Sequence, residues 1–109
     1  MDKELFVLHG EIKTPPMSIS ARRESGYLLR RLQDGEIVSA PACKPMNTIG
    51  RRCYELIVID ESKTWRIMVR IDDDAVLVLD VFAKKTQKTP QSVKDACKKR
   101  LKEYDAASR

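Results

Sequence analysis

Ala75-Val76-Leu77-Val78-Leu79-Asp80-Val81-Phe82-Ala83 runs straight into Lys84-Lys85-Thr86-Gln87-Lys88-Thr89-Pro90, and the reading of this stretch decides the fold. The first nine residues are nearly all apolar, which predicts a central strand covered on both faces. Thr89-Pro90 has the form of a helix cap followed by proline at the first helical position. Val93, Ala96, Cys97, Leu101 and Tyr104 then put one apolar stripe on a helix from about Gln91 to Tyr104, with lysines on its other side. Between strand and helix stand three lysines within five residues. So dense a positive charge on a tight connection suits a polyanion better than it suits a core.

Working outward, Trp65 to Ile71 alternates cleanly, with Trp65, Ile67, Val69 and Ile71 facing one way and Arg66, Met68 and Arg70 the other. Cys53 to Ile59 is a further strand, and Asp60-Glu61-Ser62-Lys63 and Asp72-Asp73-Asp74 make short turns. Connections this short predict an antiparallel meander of three strands. Glu36 to Gly50, with Pro41, Pro45 and Gly50, reads as the longest loop with room for a short edge strand; it ends in a second basic point, Gly50-Arg51-Arg52. Leu5 to Leu8 forms a first strand, and Pro15-Pro16 interrupts regular structure after it. Ser18 or Ser20 can cap a helix through about Gln33 that carries Ala21, Ser25, Leu28, Leu29 and Leu32 on one side and ends at Asp34-Gly35. The order strand, helix, three strands, helix predicts one α+β domain over residues 1–109. Its helices would pack on one side of a mainly antiparallel, four-stranded sheet.

Composition narrows the function classes. From Phe82 onward nine basic residues face three acidic ones, whereas the rest of the chain is near neutral against a net charge of +5. Cys43, Cys53 and Cys97 are odd in number and lack C-x-x-C spacing, so they read as reduced thiols of a cytoplasmic protein. His9 is the only histidine and suits a cap or the core better than a metal, and no apolar run predicts a membrane span or a signal peptide. No cofactor or metal is expected. The bland readings of the charges are a solvated helix face for the late lysines, a solvated strand entrance for Arg51 and Arg52, and a strand ion pair to Glu55 or Asp80 for Arg66.

Tyr54-Glu55-Leu56, Trp65-Arg66-Ile67, Asp74-Ala75-Val76 and the F-x-K-K-T-x-K-T-P run from Phe82 to Pro90, with the helix Ala21 to Gln33 upstream, resemble the phage-derived Gp49-like (HigB-type) toxins of the RelE/ParE toxin–antitoxin superfamily. The resemblance spans roughly Leu5 to Tyr104. It implies a RelE-like fold, a cognate antitoxin of the helix-turn-helix kind, and a metal-free endonuclease that cuts messenger RNA on the ribosome. Arg66 would contact the scissile phosphate, and Lys84 and Lys85 would contribute to the same site. The chain has Ile57 where the family commonly has arginine, and nothing between Thr86 and Val93 is aromatic.

The chemistry is consistent with those roles. Metal-free cleavage needs the 2′-hydroxyl deprotonated, the phosphorane stabilised and the leaving 5′-oxygen protonated. A guanidinium pairs two phosphate oxygens and keeps its charge, which suits Arg66. Crowding Lys84, Lys85 and Lys88 would lower an ammonium pKa from about 10.4 toward the useful range for an acid or base. Lys88, Arg70 and Arg52 would hold RNA backbone. The competing readings are a non-cleaving member of the same fold, either a ParE-like gyrase inhibitor or a relic that only binds antitoxin, and a plain nucleic-acid-binding module.

Overall fold

The structure, a computed structural model, describes residues 2–61, 63–84 and 88–108, without the Lys84 side chain. Its elements are Glu4–Val7 (β1), Ile19–Gln33 (α1), Cys43–Pro45 (β2), Cys53–Ile59 (β3), Thr64–Ile71 (β4), Ala75–Lys84 (β5) and Gln91–Ala107 (α2). The strands form one mixed sheet in the order β1-β5-β4-β3-β2. β1 runs parallel to β5, and the other neighbours are antiparallel.

The α+β class and the β3-β4-β5 meander are as the sequence predicts, and the sheet has five strands where four were expected. The fifth is β2, the short edge strand for which the long loop had room, and it pairs Cys43 with Leu56 and Pro45 with Tyr54. Pro45 is tolerated there because an edge strand needs no donor on its outer side.

The helices do not share a side of the sheet. Trp65, Ile67 and Val69 of β4 pack with Ala21, Leu28, Leu29 and Leu32 of α1. Met68, from the opposite face of the same strand, packs with Cys97 and Leu101 of α2. The physical reason lies in β5: Val76 and Val78 join the first cluster, Leu77 and Leu79 the second, and all four are 0% exposed. A strand apolar at both parities needs a layer on each face. Burying a side chain such as Leu77 or Ile67 contributes about 1.5–3 kcal/mol each, so both layers are substantial.

Local signals fix where the helices begin and end. The Ser18 side chain accepts from the Ala21 backbone N–H at 3.0 Å and caps α1. Gly35, at φ +83°, takes the left-handed turn that ends it. α2 departs from expectation: Pro90 occupies the cap position and no side chain caps the helix. The Thr89 hydroxyl donates to Glu55 instead. Between Met68 and Val69 the ladder slips by one residue against β5. Arg100 of α2 stitches that irregularity, its Nη1 donating to the Leu79 carbonyl at 2.8 Å and lying 3.5 Å from the Asp80 carboxylate.

Candidate functional site

Arg66 stands on the β4 face that packs under α2, and only 6% of it is exposed. Its Nη1 donates to Oε1 of Glu55 at 3.0 Å. The register sets Ile57 opposite Arg66 and Glu55 opposite Met68, so the pair is diagonal across two strands, a span long side chains bridge. Glu55 is wholly buried, and its second oxygen accepts from the Thr89 hydroxyl at 3.1 Å. The Lys44 ammonium, from the edge strand β2, comes to 3.6 Å of the first oxygen. Among the described residues the carboxylate thus gathers at least two cations and a hydroxyl from three other segments. Among the described residues Arg66 Nε has no hydrogen-bond partner although it is buried.

Thr89 brings the lysine-rich junction to this place. It is 6% exposed, and its hydroxyl lies against Glu55. Lys84 ends β5 with its backbone opposite Thr64, two residues before Arg66 on the neighbouring strand. Lys88 is exposed beside Thr89. Lys85 and the Lys84 side chain lie outside the described residues.

Arg70 and Arg52 lie toward the other end of β4. Arg70 stands four residues beyond Arg66, roughly 13 Å along the strand at about 3.3 Å per residue. It is 8% exposed and forks onto Asp105 of α2, Nη1 at 3.0 Å and Nη2 at 2.7 Å, with Nη2 also 2.9 Å from Asp72. The Asp105 hydrogen bonds push the Arg70 pKa further up, against the opposing effect of burial, so this cation is permanent. Arg52, held at φ +61°, reaches Asp72 at 3.2 Å. Arg70 and Arg52 line an open cleft of about 640 Å³ with the last turns of α2.

Arg66, Arg70 and the junction residue Thr89 thus meet the α2 side of the sheet, where they form two separate centres. The bland reading of Arg66 as the partner of Glu55 is realised, in a buried pair and not on an exposed strand. Sequence reasoning saw Glu55 only as that partner and missed its central position. The signal was present in the chain: Glu55 shares parity with Cys53, so it falls at an inward-facing place on a strand buried on both sides.

The thiols lie apart from this chemistry. All three cysteines are reduced and buried, and burial, reinforced by the nearby Asp80 charge, pushes Cys97 up to about 12. His9 is exposed at the end of β1 and takes no place in the core. Among the described residues no group of three or more histidines, cysteines and carboxylates could hold a metal ion, and no helix is long and apolar enough to cross a membrane.

A search of curated proteins returns no match to the sequence. A family model described as "Phage derived protein Gp49-like (DUF891)" matches residues 15–102. That match takes in both helices as far as Lys102, the meander and the Glu55–Arg66 pair, so the chain belongs to the Gp49-like family of phage-derived proteins.

Proposed function

We propose that this chain is the toxin of a type II toxin–antitoxin pair, a single RelE/HigB-like domain that acts in the cytoplasm on ribosome-bound messenger RNA. The observation that carries the reading is the meeting of Arg66 and Thr89, which follows Lys88 at the end of the lysine-rich run, at one carboxylate, Glu55. Family membership is consistent with a toxin held in check by an antitoxin.

In this proposal RNA enters over the junction, and a phosphate takes up the donors of Arg66, whose buried Nε lacks a partner among the described residues. The 2′-oxygen attacks phosphorus as its proton passes to a base, and the P–O5′ bond breaks as the leaving oxygen takes a proton from an acid. The product is a 2′,3′-cyclic phosphate. Lys84 and Lys85 are the proposed base and acid, and Arg66 stabilises the phosphorane. Lys88 holds backbone beside the site. Arg70 and Arg52, which the sequence reading gave to RNA backbone, already pair with Asp72 and Asp105 at the separate centre and are left out of the RNA path.

A specific observation favours a second reading. Glu55 is wholly buried and Arg66 nearly so beneath Thr89, which is the state expected of a member that no longer cleaves and acts by binding gyrase or an antitoxin. Induction of the chain without its antitoxin separates the two. Growth arrest with cleaved transcripts ending in 2′,3′-cyclic phosphates is expected from the first. Intact transcripts, with or without double-strand DNA breaks, would decide for the second.

A further inference from the structure

The cleft between the Gly50-Arg51-Arg52 turn and the last turns of α2 has a composition that the proposed cleavage site does not explain. Its lining includes aliphatic side chains, the nearly buried Ile49 and Leu101 and the exposed Ala106. Its rim is cationic, with Arg51 and Arg52 on one side and Lys98 and Lys102 on the other, all exposed. Lys94, Lys98 and Lys102 succeed one another at four-residue spacing on α2, an arrangement of like charges that repel along a helix face. The fork of Asp105 on Arg70 shows a carboxylate already seated at the cleft wall.

We propose that this cleft docks an acidic peptide segment that carries an aliphatic side chain. The charge of the rim calls for an anion, and the aliphatic part of the lining selects among anions. A nucleic-acid backbone has no apolar group to set against the exposed Ala106 and the edges of Ile49 and Leu101. Among the described residues no aromatic side chain lines the cleft on which a base could stack, and stacking is what single-stranded nucleic acid uses on such surfaces. An acidic peptide supplies both parts: carboxylates for Lys98, Lys102 and Arg51, and an apolar side chain for the aliphatic part of the lining. A volume of about 640 Å³ is in the range of concave ligand sites. Docking of such a peptide does not depend on whether the chain cleaves RNA.

The test is fluorescence anisotropy with the full chain and two labelled probes, a peptide alternating glutamate and leucine and an oligouridylate of equal charge. The peptide is expected to bind more tightly than the oligouridylate, and a version with serine for leucine at least tenfold more weakly. Lys98→Glu/Lys102→Glu and, separately, Ala106→Glu should each lower peptide affinity at least tenfold while circular dichroism shows an unchanged fold. Should either variant unfold, methyl chemical shifts of Ile49, Leu101 and Ala106 in the unsubstituted chain must move on peptide addition. Peptide affinity that ignores these substitutions, equal binding of the serine version, or tighter binding of the oligouridylate through the same lysines would each overturn the proposal.

Discussion

Arg66→Ala is the perturbation whose size the structure defines best. The substitution removes the guanidinium 3.0 Å from a wholly buried carboxylate, whose other contacts include the Thr89 hydroxyl and a half-exposed lysine at 3.6 Å. Breaking a buried pair by deleting one partner costs about 3–5 kcal/mol, because the remaining charge has been desolvated without compensation. Lys44 offsets part of that, which places the expected loss near 3 kcal/mol, toward the lower end of this range. A domain of this size has a total stability of about 5–15 kcal/mol, so the variant should fold but unfold easily. Removing both charges with Glu55→Gln/Arg66→Met should recover most of the loss, since a buried pair contributes little net stability relative to a neutral replacement. Urea unfolding followed by the fluorescence of Trp65, the sole tryptophan, measures all three values. An Arg66→Ala loss below about 1 kcal/mol, the range of exposed pairs, would refute the burial argument. The same figure bears on function: toxicity lost in Arg66→Ala reports on cleavage only after stability is matched, and Arg66→Lys, which keeps the charge but not the fork, is the sharper variant.

Three further outcomes rest on particular contacts. Cys43, Cys53 and Cys97, all with pKa values raised first by burial, should resist a disulfide reagent in the native chain and react together once urea unfolds it. Asp60 accepts hydrogen bonds from the Ser18 and Glu61 backbone N–H groups and from Trp65 Nε1, which hold its carboxyl well below the usual range. Its ionised form therefore stabilises the fold fully above about pH 4, and that contribution falls away as pH drops below this value. Urea midpoints should accordingly differ between the natural chain and Asp60→Asn at neutral pH and converge in acid. Gly10 sits at φ +93°, and a Cβ there would come within 2.9 Å of Val81, so Gly10→Ala should lose about 1–3 kcal/mol in the same assay.

Much of the fold was legible because period and caps agreed. The five residues of α1 read as its inner side, Ala21, Ser25, Leu28, Leu29 and Leu32, are the five it buries, and the strand alternation of Trp65 to Ile71 sorts correctly onto two faces. The placement of both helices on one side failed against a signal in the chain itself. Ala75 to Leu79 is apolar at both parities, and that pattern already demanded a layer on each face. The short edge strand for which the long loop had room is β2, and its bounds were not legible because three residues carry no period and pair only with β3. At the candidate site, residue types were readable and pairings were not. A charged strand residue looks the same in sequence whether it meets water, phosphate or a diagonal carboxylate. Thr89 shows the same limit: its local pattern is that of a cap, and a contact 34 positions away claims its hydroxyl.

Ribosome-bound messenger incubated with the purified chain in excess chelator, with mapping of the 3′ ends, tests the central claim most directly. The expected products are 2′,3′-cyclic phosphate ends that persist in chelator and fall by at least tenfold with Arg66→Lys, a change of about 1.4 kcal/mol or more in transition-state stabilisation. Uncut messenger, or cleavage unaffected by that substitution, would contradict it.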